Sequence, residues 1–213
     1  MPDFKRNLLN TFLPSTCYVC DELSEWAVCN ACMDDFNMTY RNERRLFIRN
    51  PEIVIQAPFI YKGKVKEMIE DIKYRGIFFA VPFFADHLAE MIKEYEYDYI
   101  VPVPLHFLRK WRRGFNQSEE IAKEISKYTG IPLFKGAVRV KNTKSQTKLS
   151  RKERILNIKG AFKVKGGGIK GKRLAVVDDV ITTGATTVEL ARVLYENGAE
   201  KVDIYAASMA ELD

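Results

Sequence analysis

The sequence predicts an α/β protein: a doubly wound, mainly parallel sheet preceded by a small cysteine-bound ribbon. Three observations carry this. The apolar run Leu174–Val177 reads as a strand buried on both faces. Two acids, a bend of small and hydroxyl residues, and a helix with Val188, Leu190, Ala191 and Leu194 at spacings of three and four follow it. Further strand-like runs alternate with helical periods downstream of residue 50, the pattern of a parallel sheet. All four cysteines fall within 16 residues near the start.

A chain of 213 residues allows one full domain and a small appendage, and 46% apolar content supports a sizeable core. The expected division is 1–50 for a four-cysteine segment with its connector and 51–213 for the α/β domain. No apolar run approaches the roughly 18 residues of a membrane-spanning helix. The run after Lys5 and Arg6 is too short and broken for a signal peptide. A cytoplasmic protein is the simplest expectation.

The elements follow in order. Cys17-x-x-Cys20 and Cys29-x-x-Cys32 have the spacing of a tetrahedral four-thiolate zinc site. Four cysteines leave no open coordination position, so the metal's expected role is structural. The alternatives are reduced thiols or two disulfides, the latter disfavoured in a reducing compartment. Asp34–Asn50 is polar and reads as a helix or connector. Ile53–Tyr61 reads as a strand, and Val65, Met68, Ile69 and Ile72 as a helix that ends at Lys73 and Arg75. Phe83–Tyr95 reads as a second helix and Tyr99–Leu105 as the next strand. A loop with Arg109, Lys110, Arg112, Arg113 and Gly114 comes next. Asn116 with Glu119 resembles a capping box opening a helix that stops at Gly130-Ile-Pro132. Leu133–Val140 reads as a strand. Residues 141–154 read as a long mobile flap, with Gln146, Thr147, Arg151 and Arg154, and Asn157 beyond, as polar candidates. Ile158–Val164 could resume the sheet.

Charge is uneven. From Lys135 to Arg173 there are 14 basic residues and one acid, Glu153, leaving 20 basic against 27 acidic residues elsewhere. Such a segment suits a polyanion, pyrophosphate or nucleic acid, unless it is only a solvated loop.

The chemistry concentrates after Val177. A strand feeding Thr182, Thr183, Gly184, Ala185 and Thr186 at a helix N-terminus is a phosphate site, because the backbone N–H groups and helix dipole there favour an anion. Asp178 and Asp179 would repel a phosphate and so should face another part of the ligand. Acids that bind a diol, one turn before a phosphate, suit a ribose 5-phosphate. The competing reading is an ordinary βαβ unit with acids at a strand end. A Walker loop is excluded, since no Gly-Lys-Ser or Gly-Lys-Thr closes a glycine-rich run.

Leu174–Thr186 resembles the phosphoribosyl pyrophosphate (PRPP) motif of type I phosphoribosyltransferases. That resemblance implies their fold, ribose hydroxyls on Asp178 and Asp179, the 5-phosphate on Thr182–Thr186, and Mg2+ carried with PRPP. Pyrophosphate contacts are expected from Arg109, Arg113 and Gly114, with Lys73 and Arg75 contributing from a neighbouring strand end, and the flap closing over the ligand. Several pieces together look like the ComF family of competence proteins: the cysteine pairs, Pro102-Val-Pro104, Arg113-Gly-Phe-Asn-Gln117, Gln146-Thr-x-Leu-Ser-Arg151, Asn157-x-x-Gly-Ala-Phe162 and the acidic motif. This second resemblance implies a role in natural transformation, with single-stranded DNA and other competence proteins as partners. The alternative is a phosphoribosyltransferase of nucleotide metabolism acting on a base or amine.

Overall fold

The computed structural model describes residues 15–49, 52–142 and 157–211. A four-cysteine segment leads into helix α1 (Met33–Tyr40) and strands β1 (Arg41–Arg49) and β2 (Glu52–Ile60). Helix α2 (Gly63–Glu70) runs on into a π-helical turn, Asp71–Arg75. Then come α3 (Val81–Lys93), β3 (Tyr99–Pro102), α4 (Phe107–Arg113), α5 (Gln117–Thr129) and β4 (Ala137–Arg139). The chain finishes with β5 (Phe162–Val164), β6 (Arg173–Ile181), α6 (Ala185–Glu196) and β7 (Lys201–Met209).

The main sheet has the order β1-β2-β7-β6-β3. β2, β7, β6 and β3 run parallel, and β1 is an antiparallel edge on β2. Burial of β6 on both faces follows from its apolar run. Ala175 and Val177 join the core made by Phe84, Leu88 and Ile92 of α3 with Ile121 and Ile125 of α5. Leu174 and Val176 join the opposite core with Leu190 and Leu194 of α6. Each such branched side chain withdrawn from water is worth ~1.5–3 kcal/mol. The parallel doubly wound sheet with a cysteine unit at its start is the fold class expected from the sequence.

Four local expectations change. Arg41–Arg49 is a strand rather than a helix or connector, so the main sheet begins at residue 41. An edge strand is half-solvated and tolerates charges that hide its period. β3 stops at Pro102, because Pro102 and Pro104 cannot donate to a ladder. The basic loop after it contains α4. β5 pairs with β4 in a separate two-stranded sheet instead of rejoining the main one.

The cysteine segment packs onto the body. Ala27 and Val28 are buried in the same core as Met68, Ile69 and Ile72. Among the described residues, no helix is long and apolar enough to cross a membrane. Gln146, Thr147, Arg151 and Arg154 lie outside the described residues.

Candidate functional site

Asp178 and Asp179 lie buried near the carboxyl end of β6. The Val103 amide donates to the Val177 carbonyl at 2.9 Å, so the chain leaving β3 is held beside the residue that precedes the acids. Ligands of open α/β sheets gather at this edge. The bend after the acids turns on Gly184, whose φ of 72° is left-handed and open to glycine at no steric cost. Gly184 is the N-cap of α6 and supplies no side-chain cap, so the helix start keeps its affinity for an anion. Asp178 and the run Val180–Thr187 line one hollow of about 50 Å³, a volume for one small group rather than a base. A larger hollow of about 540 Å³ lies along α3, beside Asp86, His87 and Glu90, away from these acids.

The acids are 8% and 5% exposed and anchored to different elements. Asp178 Oδ1 accepts from the Ser118 hydroxyl of α5 at 2.8 Å and from the Asp179 amide at 3.0 Å. Burial, then the Asp179 charge, pushes the Asp178 carboxyl up to about 7. Asp179 Oδ2 pairs with Lys73 Nζ at 2.8 Å, and its Oδ1 accepts from the Val180 amide at 2.8 Å. Burial opposes the Asp179 charge, but Lys73 more than offsets it and holds this carboxyl below its ordinary range. Lys73 is raised in turn: burial works against it and Asp179 outweighs that.

Of the other sequence candidates, Lys73 makes a direct contact with this pair. Arg75 extends into solvent and pairs with Asp71 at 2.9 Å. Arg113 donates to Gln117 at 2.6 Å and stands over the Tyr74 ring at 5.7 Å, tying α4 to the π turn that carries Lys73 and Arg75. Arg109 is lowered by burial and then by Arg113 and Arg112, which places three guanidinium groups within electrostatic reach of one another. Gly114 is the left-handed C-cap of α4, with a φ of 85°. Asn116 stands at the N-cap of α5 but makes no capping bond; its amide donates to the Val103 carbonyl at 2.9 Å instead.

Two neighbours escaped the sequence reading. Ser118 carries no pattern of its own, being simply a buried residue in the first turn of α5. Arg139 sits on β4, bridged to His106, with its guanidinium 5.6 Å from the Phe162 ring. Burial and then Arg109 lower it to about 10, while Asp178 raises it, so it lies within electrostatic reach of both the acid and the basic loop. Its strand context, Ala-Val-Arg-Val within the basic segment, was the available signal.

The four cysteines form a second centre. Their Sγ atoms all lie within 4.8 Å of one another, and Cys20 and Cys29 are 3.9 Å apart. A tetrahedral ion with ~2.3 Å bonds to sulfur separates its ligands by ~3.8 Å, so the set fits zinc. The Val19 and Cys29 amides point at Cys17 Sγ from 3.4 and 3.3 Å. Burial works against a Cys17 thiolate, yet these donors lower it to about 6, while hydrogen bonding to Cys29 and then burial raise Cys32 to about 12.

Residues 72–209 match the phosphoribosyl transferase domain. Competence protein F of Haemophilus influenzae is 40% identical over 114 residues, covering 52% of this chain and 50% of that protein. Competence protein ComFC of Streptococcus pneumoniae is 31% identical over 152 residues, covering 71% of this chain and 66% of its own. The chain thus spans about half the length of the first relative and about two thirds of the second. Among solved structures, a purine phosphoribosyltransferase from Pyrococcus horikoshii Ot3 is 24% identical with a TM-score of 0.41, covering 61% of this chain and 72% of its own. The chain belongs to the phosphoribosyl transferase domain family, with competence proteins F and ComFC among its relatives.

Proposed function

We propose that this chain binds PRPP at the end of β6 and serves the handling of incoming single-stranded DNA in natural transformation. The observation that carries the PRPP reading is that Asp178 and the Thr182–Thr187 bend line one hollow. The 5-phosphate sits at the start of α6, where amide donors and the helix dipole favour it. The ribose diol donates to the carboxylates. Arg109 and Arg113 hold the pyrophosphate, with Arg139 beside them, since guanidinium forks match phosphate oxygens. Mg2+ arrives with the pyrophosphate and neutralises part of its charge. Zinc in the four-cysteine centre holds the N-terminal segment in place.

The DNA reading rests on the names of the relatives and on the outer face of α4. Trp111 is 84% and Phe107 68% exposed there, with Lys110 and Arg112 beside them. Exposed aromatic rings among basic side chains suit base stacking with phosphate contact. Other competence proteins are the expected protein partners.

The test combines PRPP calorimetry with single-stranded oligonucleotide binding across a salt series. The Asp178→Asn, Asp179→Asn pair should abolish PRPP binding with the fold intact. Trp111→Ala should weaken DNA binding about tenfold, consistent with ~1–3 kcal/mol per stacked base. Unchanged PRPP affinity in the double variant ends the site assignment. Isotopic turnover with one base, together with no DNA affinity, would favour the transferase of nucleotide metabolism.

A further inference from the structure

The cysteine centre and the sugar-phosphate site are joined by a short polar chain. Tyr18 lies between the two cysteines of the first pair, and its amide donates to the Ala27 carbonyl at 2.9 Å, so the cysteine loop fixes its backbone. Its hydroxyl donates to Asp71 Oδ2 at 2.9 Å. Asp71 opens the π-helical turn Asp71–Arg75, and its other oxygen takes Arg75 at 2.9 Å. Lys73, in the middle of that turn, reaches Asp179 at 2.8 Å. A π turn is rare and is often found at functional sites. This one is pinned at its first residue by the cysteine loop and at its third by the acid of the ligand site.

We propose that the four-cysteine centre regulates the sugar-phosphate site: metal in the centre keeps Tyr18 on Asp71, which sets the π turn and so presents Lys73 to Asp179. This rests on the PRPP reading only for its ligand, because the mechanical link exists whatever binds. Without the metal, the loop that orients Tyr18 loses its cross-link, Asp71 loses a buried donor, and the turn slackens. Lys73 then spends less time on Asp179. The site passes from a neutralised, ordered pair to an acid whose charge is poorly compensated, and PRPP meets a less organised surface. Tyr18 and Asp71 act as positioning residues, since neither lines the hollow at the start of α6.

The experiment uses the full zinc-loaded chain and Tyr18→Phe, which keeps the ring and removes only the hydroxyl. Three quantities are read: zinc content, backbone hydrogen exchange by peptide, and PRPP affinity by calorimetry. The expected result is full zinc content, faster exchange over residues 71–76 and 178–184, and unchanged exchange in α5 and α6. PRPP affinity should fall about 3- to 10-fold, the worth of one partly buried hydrogen bond. Zinc removal by a chelator should give the same exchange pattern, with larger amplitude at the cysteine loop. Asp71→Ala removes the acceptor from the far side without touching the cysteine loop and should reproduce the change at 178–184. It stands in if Tyr18→Phe fails to retain zinc. Wild-type exchange over 71–76 and 178–184 in a zinc-loaded variant overturns the proposal. If exchange changes as expected while the wild-type protein ignores PRPP, the link stands and the ligand assignment fails.

Discussion

Replacing Asp178 by Asn should stabilise the protein and remove PRPP binding in the same step. The cause is the carboxyl's position in the fold. It is buried, beside the charged Asp179, and displaced from an ordinary 3.8 to about 7. At ~1.4 kcal/mol for each pH unit, ionising it in the folded state costs roughly 4 kcal/mol. Two further charged groups lie near the pair: Lys73, paired with Asp179, and Arg139, within electrostatic reach of Asp178. The amide oxygen of Asn can still accept from Ser118 and from the Asp179 amide, so the substitution removes charge without removing the bonds. The sign follows from proton uptake. Between pH 3.8 and 7 the folded state holds a proton on Asp178 that the unfolded chain has lost, so the wild-type contribution to stability falls as pH rises through this window. Above the upper limit the loss is complete. The gain of Asp178→Asn should therefore be larger at pH 8 than at pH 5 by about 2–3 kcal/mol. Urea unfolding of both proteins, zinc-loaded and without PRPP, at the two pH values measures it. A gain equal at both pH values, or a variant less stable than wild type at pH 8, refutes the electrostatic account of the site.

Other consequences are simpler. Gly184→Ala places a side chain on a backbone at φ 72°, where the nearest neighbour of a new Cβ is Ile55 Cδ1 at 3.7 Å. Space is therefore adequate and the cost is conformational, about 1–2 kcal/mol. Calorimetry with ribose 5-phosphate should show the weakened phosphate site, and unchanged affinity would remove Gly184 from it. Stripping zinc with a chelator should open residues 15–32 to limited proteolysis while the main sheet survives, because so short a segment buries too little surface to fold alone. Zinc, and not Mg2+, should restore protection. A segment equally resistant with and without zinc would mean that its packing through Ala27 and Val28 suffices.

What could be read from the sequence was what is local in it. The run from Leu174 to Thr187 encodes strand, acids, bend and helix within one supersecondary unit, and the structure builds that order with the strand carried on through both acids to Ile181. The cysteine pairs are local in the same way. Contacts made by tertiary approach left no trace. Ser118 reaches Asp178 across 60 positions and Tyr18 reaches Asp71 across 53, and neither residue belongs to a periodic pattern that would mark it. Asn116 shows the reverse error: its spacing from Glu119 promises a cap, but the end of β3 claims its amide. β1 was hidden because an edge strand with arginines along it has no apolar alternation to detect.

Adjacent acids of the same type should respond oppositely to the same substitution, and this separates their roles. A carboxylate offers about four acceptor positions. Asp178 uses one oxygen for Ser118 and the Asp179 amide, leaving its acceptor capacity towards the hollow it lines. Asp179 divides itself between the Val180 amide and Lys73, which leaves it less acceptor capacity for a ribose diol than Asp178 keeps. Asp179→Asn leaves Lys73 charged with only 20% of its side chain exposed. Breaking one side of a buried pair costs about 3–5 kcal/mol, and the residual exposure of Lys73 puts this case near 3. So at pH 8 Asp178→Asn raises the unfolding free energy while Asp179→Asn lowers it, and the double variant lies between. The same urea titrations decide the matter. If both single variants shift in one direction, the charge is shared between the acids rather than divided, and the ribose would meet them as a single unit.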